Sequence, residues 1–125
     1  MSKQYHFLLI GASPNDPWLP IIEEALTSFG ILQIISEADV YRLAQQQNYD
    51  LIIIDATKVA DVFLLVSKIK EQKPNGKVVV ATASPTWEKA REAFRTGATD
   101  YISRSMNKEI ILSALRPIVE KSQTS

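Results

Sequence analysis

A chain of 125 residues has room for one hydrophobic core and not for two. Apolar residues make up 46% and charged residues 22%, a balance that excludes disorder by composition. Lys plus Arg equals Asp plus Glu, which argues against a basic nucleic-acid-binding face, and the absence of cysteine excludes disulfides, thiolate metal sites and cysteine nucleophiles.

Short apolar runs alternate with amphipathic stretches. Phe7-Leu8-Leu9-Ile10 reads as a buried strand ending at Gly11. After the loop from Ala12 to Asn15, Asp16 is a good helix cap and Pro17 a good first helical residue. Trp18, Ile22, Ala25, Leu26 and Phe29 then repeat at helical spacing, and Gly30 is the expected stop. Ile31 to Ile35 reads as a second strand. Ser36 is placed to cap a helix with a stripe of Val40, Leu43 and Ala44. Leu51-Ile52-Ile53-Ile54 is apolar without a break and runs into Asp55, as suits a central parallel strand covered on both faces.

A helix is expected from about Ala60, with Val62, Leu65, Val66 and Ile69 inward and Phe63 and Leu64 off that stripe. Pro74-Asn75-Gly76 is a turn. Lys77 to Ala81 is a fourth strand, and Ser84-Pro85 opens a helix that Gly97 closes. Tyr101-Ile102-Ser103 is a short fifth strand. Ile110, Ile111, Ala114, Leu115 and Ile118 mark a last helix, in which Pro117 predicts a kink or an end near Arg116. Residues 121–125 are polar, a tail or the stub of a linker, so 1–125 reads as one domain. No apolar run approaches the ~20 residues that span a bilayer, and the first is too short for a secretory signal, so the expected location is the cytoplasm.

Five βα units predict a doubly wound α/β fold with a five-stranded parallel sheet and right-handed crossovers. In such sheets the chemistry lies beyond the carboxyl ends of the strands. That rule selects Gly11 to Asn15, Asp55 to Lys58, Thr82 to Ser84 and Ser103 to Ser105. His6, the one histidine, has no triad or metal partner in the sequence and reads as an incidental strand residue.

Three of these strand ends carry a resemblance. Tyr49 to Asp55, Val80-Ala81-Thr82-Ala83, and Gly97-Ala98-Thr99-Asp100-Tyr101-Ile102, in this order and at these separations, resemble the receiver domain of bacterial response regulators, as in the chemotaxis response regulator. The resemblance covers nearly the whole chain. It implies a flavodoxin-like (βα)5 fold with strand order 2-1-3-4-5 and a role in two-component phosphorelay signalling. It makes Asp55 the candidate phosphoacceptor, Thr82 the switch hydroxyl and Tyr101 the switch aromatic. Arg104 stands where the family has a lysine.

The departures are equally plain. The acidic pair expected after the first strand is Gly11-Ala12, the proline after Arg104 is replaced by Ser105, and the proline after the phosphoacceptor by Val59. Asp16 reads as a cap, which leaves Asp55 as the lone carboxylate at matching positions. A site with one carboxylate should bind Mg²⁺ weakly, if at all. Phosphoryl transfer from a partner histidine kinase also needs that carboxylate exposed and ionised.

Two readings follow: a phosphorylatable receiver, or a pseudo-receiver that acts as an interaction module without phosphorylation. The family further implies a sensor histidine kinase or phosphotransfer protein as partner, a fused or separate effector, and contact or homodimer formation through the helix–strand–helix face around Trp87, Tyr101 and the last helix. A flavin- or cobalamin-binding domain is a weaker third reading, because Ala12 to Asn15 offers one hydroxyl and no Asp-x-His occurs. No constellation of residues suggests turnover of a substrate.

Overall fold

The computed structural model describes residues 4–40, 42 and 47–121. Strands β1 (Tyr5–Ile10), β2 (Gly30–Ile35), β3 (Leu51–Asp55), β4 (Val78–Thr82) and β5 (Asp100–Ser103) form one parallel sheet in the order β2-β1-β3-β4-β5. Helices described in full are α1 (Trp18–Thr27), α2 (Val62–Gln72), α3 (Trp87–Arg95) and α4 (Lys108–Lys121). A 3-10 turn, Glu37–Asp39, follows β2. Val40 is buried as expected, whereas Leu43 and Ala44 lie outside the described residues, as does most of the polar tail. Among the described residues no helix is long and apolar enough to cross a membrane.

The unbroken apolarity of β3 and β4 has its reason in the two layers. Successive side chains of a strand point to opposite faces. Phe7, Leu9, Leu51, Ile53 and Val79 pack on one face against Trp18, Ile22 and Leu26 of α1 and Ile111, Leu115 and Val119 of α4. Leu8, Ile10, Ile52, Ile54 and Val80 pack on the other against Leu65, Val66 and Ile69 of α2 and Ala93 of α3. Each fully buried aliphatic or aromatic side chain contributes about 1.5–3 kcal/mol of transfer free energy.

Four local expectations are corrected. Gly30 does not stop α1; Ser28 is the cap, and Gly30 is the first residue of β2. The helix after Ser84-Pro85 starts at Trp87, because Thr86 accepts the Lys89 amide (3.2 Å) as its cap. Pro117 does not end α4, which continues to Lys121. The inward stripe of α4 is Ile111, Leu115 and Val119, and Ile110 is 57% exposed.

Gly30 is required by packing. A Cβ there would lie 2.5 Å from Phe7 Cε2 and 2.7 Å from the Tyr5 carbonyl oxygen. Phe7 is held in a cluster with Tyr5 and Phe29, its ring centroid 5.1 Å from that of Phe29. The Gly30→Ala variant is therefore expected to lose about 2 kcal/mol of stability, seen as a lower urea midpoint at unchanged slope. A wild-type midpoint would show that the aromatic cluster yields freely.

Candidate functional site

The register brings the selected loops to one rim. Ile10 pairs with Ile54, Asp55 with Ala81, and Thr82 with Ser103, so the chain leaves β1, β3, β4 and β5 at the same end of the sheet. Backbone bonds extend this order into the loops: Gly11 N donates to Ile35 O (3.0 Å), Ala56 N to Ala81 O (2.8 Å) and Arg104 N to Thr82 O (2.9 Å).

Asp55 shares the pleat of Leu51 and Ile53 and faces the layer of α1 and α4. The exposure that phosphoryl transfer would need is absent from this arrangement: Asp55 is 1% exposed. Its Oδ1 accepts from the Thr57 amide (3.0 Å) and the Thr57 hydroxyl (2.7 Å), a local turn that holds the side chain in place. Its Oδ2 faces the Arg104 Nε at 3.6 Å. That is an ion pair too long for a hydrogen bond, and both atoms are buried without another partner.

Arg104 is the hub. Its guanidinium lies over the Trp18 ring, Cζ 4.8 Å from the centroid, and is 12% exposed. One terminal nitrogen donates to Thr57 Oγ1 (3.2 Å) and the other to Asp16 Oδ2. Trp18 is fixed in turn by its indole N–H, which donates to the Ser105 carbonyl (3.0 Å). Stacking, bidentate donation and charge are uses to which a guanidinium is better suited than an ammonium.

Asp16 does cap α1, since its Oδ1 accepts the Trp18 amide (2.9 Å). The reading of Asp55 as a lone carboxylate is nevertheless corrected, because the other Asp16 oxygen joins the cluster through Arg104 and lies 3.7 Å from Lys58 Nζ. The Trp18 amide, then the charges of Arg104 and Lys58, hold the Asp16 carboxyl below its ordinary 3.8, against the opposing effect of burial.

Gly11 and Ala12 bring no charge to the rim. Gly11 has φ +96°, a conformation that L side chains rarely adopt, and a Cβ there would meet Lys58 Cβ at 3.0 Å. The loop geometry therefore excludes an acidic side chain at position 11 without rearrangement.

Thr82 and Tyr101 do not join this cluster. Thr82 shares the pleat of Val80 on the opposite face, and its Oγ1 accepts the Ser84 amide (3.2 Å). The Tyr101 hydroxyl is buried without a hydrogen-bond partner among the described residues. Both line a groove between the loops after β3 and β4 that shares Thr57 with the cluster. Trp18, Thr57 and Asp16 join the cluster without a role at this site read from the sequence, although Asp16 was read as a cap and Thr57 falls within the selected loop from Asp55 to Lys58. Asp55-x-Thr57, with a hydroxyl two residues after a carboxylate, was the one local signal available for them.

Mg²⁺ wants several oxygen ligands in octahedral order. Here one Asp55 oxygen is filled by Thr57 and the other faces a guanidinium. Among the described residues no group of three or more His, Cys, Asp or Glu could hold a metal ion. These residues do not fit Mg²⁺.

Two outcomes are expected. Arg104→Met leaves the buried Asp55 carboxylate uncompensated and should cost about 3–5 kcal/mol in urea denaturation, most of it recovered in the Asp55→Asn/Arg104→Met double variant. Failure of the double variant to recover would show that the stack on Trp18 matters more than the charge pair. Second, Asp16 titrates lower folded than unfolded, so its contribution is complete above its ordinary value and is lost as acid takes the pH down through the depressed one. Stability measured from about pH 5 downward should fall less steeply in Asp16→Asn than in the wild type.

A receiver-domain profile, described as "Response regulator receiver domain", matches residues 19–116. No curated protein sequence matches the chain. Among solved structures it is similar to HP1043, an orphan response regulator of H. pylori (25% identity, TM-score 0.80, covering 95% of this chain and 99% of that one). It is similar to an atypical orphan response regulator described as having a phosphorylation-independent regulatory mechanism (25%, TM-score 0.77, 92% and 95%). The chemotaxis response regulator CheY4 of Vibrio cholerae shares the fold (20%, TM-score 0.80, 93% and 99%). A five-stranded 2-1-3-4-5 sheet, a carboxylate at the end of its central strand and a profile spanning most of the chain lead to one conclusion: this chain belongs to the response regulator receiver domain family.

Proposed function

We propose that this receiver signals through protein contact and does not use phosphoryl transfer at Asp55. The observation that carries the reading is the roof over that carboxylate. An attacking oxygen must be reachable by the phosphoryl group, and both oxygens of Asp55 are enclosed by Thr57 and Arg104. To expose Asp55, the guanidinium would have to leave Asp16, Thr57 and the Trp18 ring together. The two solved structures at 25% identity, both described as orphan response regulators and one as phosphorylation-independent, support the same reading.

The contact face is apolar where a surface is ordinarily polar. Trp87 is 71% exposed, and Phe94 of α3, Met106 in the loop after β5 and Ile110 of α4 are exposed as well. Large exposed apolar groups of this kind mark interaction surfaces. The partner is an effector, fused or separate, or a second copy of the chain, and the domain turns over no substrate.

A second reading has one observation in its favour. Asp55 ends the central strand with Thr82 and Arg104 at neighbouring strand ends, the arrangement a phosphoacceptor served by a sensor kinase or phosphotransfer protein would need.

Incubation with Mg²⁺ and acetyl phosphate separates the two. The expected result is no phosphoryl adduct by intact mass on the wild type, and unchanged cross-linking to co-purifying partners in Asp55→Asn. An adduct that Asp55→Asn abolishes would overturn the proposal.

A further inference from the structure

A groove of about 390 Å³ lies next to the Asp55 cluster, on the other face of the sheet. That is the small end of the range of ligand pockets and matches one small molecule better than a peptide. Its floor and walls are apolar: Ala56, Val62, Phe63 and Val80. Phe63, which fell off the inward stripe of α2, has its place here.

Three of its polar groups, Tyr101, Thr82 and Lys89, have a proton to donate into it. The buried Tyr101 hydroxyl has no partner. The Thr82 hydroxyl accepts the Ser84 amide, which leaves its own proton to donate. Lys89, on α3, adds a cationic side chain to the groove's lining. Two hydroxyl donors and a cation over an apolar floor call for an acceptor that carries negative charge. On the opposite wall Asp61 is spoken for at one oxygen, which caps α2 through the Leu64 amide (3.1 Å). Its remaining charge weighs against a dianion such as a phosphate ester.

We infer that this groove is a binding site for a small monocarboxylate with an apolar, aromatic-sized body. The carboxylate meets Tyr101, Thr82 and Lys89, and the body lies on Phe63, Val62 and Ala56. Asp55 itself does not line the groove, although Thr57, which holds the Asp55 carboxylate, does.

The probe is 1-naphthoate, titrated into the full chain and followed by ¹H–¹⁵N NMR, with 1-naphthalenemethanol and 1-naphthyl phosphate in parallel. Saturable shifts are expected at Ala56, Phe63, Val80 and Tyr101. Tyr101→Phe and Lys89→Gln should each weaken binding about tenfold, and the alcohol and the phosphate ester should bind more weakly than the acid. Lys89 is exposed and Tyr101→Phe removes a single oxygen, so neither variant should disturb folding. Three results would overturn the inference: no saturable shift at millimolar probe, shifts confined to the exposed Trp87 and Phe94, or affinity unchanged in both variants. Tighter binding of the phosphate ester would overturn the ligand class.

Discussion

A carboxylate buried at the end of a central strand is costly unless a cation follows it down, and here the cation is part of the chain. Arg104 leaves β5 two strands away, crosses to the Asp55 side of the sheet and is held there by three different kinds of contact. Trp18 stacks on its face, Asp16 and Thr57 accept from its edge, and Asp55 supplies the charge beneath it. Together they tie the β1–α1 connection and the end of β3 to the same planar group. The loops after β1, β3 and β5 are thus fastened together at the rim where a receiver would ordinarily keep an open, acidic pocket.

The pleat of the sheet then divides the rim into two compartments. Asp55 and the guanidinium belong to the layer of α1 and α4, whereas Thr82 and Tyr101 belong to the layer of α2 and α3. The hydroxyl of Thr82 is turned toward Ser84 and not toward the carboxylate. Closing one compartment therefore leaves the other open. The groove leaves the Tyr101 hydroxyl without a hydrogen-bond partner, and the Asp55 cluster leaves Asp55 Oδ2 and Arg104 Nε facing each other without one.

The fold was legible in the sequence because parallel strands buried on both faces leave continuous apolar runs, as in Leu51 to Ile54 and Val78 to Val80. The rim was legible because strand ends are fixed by those runs. Contacts between loops were not. Asp16 capped a helix in the sequence and still does, but its second oxygen points at a residue 88 positions away, a relation no local pattern records. The misplaced helix ends have the same origin. Gly30 has the composition of a stop signal, yet its role is set by the ring of Phe7 across the strand. Pro117 forfeits a backbone bond, and α4 still continues because Leu115 and Val119 are buried against the sheet on either side of it.

Counting charges shows why the departures from the family belong together. A receiver with an acidic pair, a phosphoacceptor and a lysine carries three negative charges and one positive, and the remainder of two suits a divalent cation. In this chain the rim holds Asp16 and Asp55 against Arg104 and Lys58, two of each sign. No net negative charge is left for a dication to neutralise. Replacing the acidic pair by Gly11-Ala12 while keeping a flexible ammonium would have left the buried carboxylate with a strongly hydrated, poorly fixed partner. A planar guanidinium, stacked and forked, supplies the cation permanently. The guanidinium that compensates Asp55 in the interior thus occupies the side of the carboxylate that a dication would otherwise face.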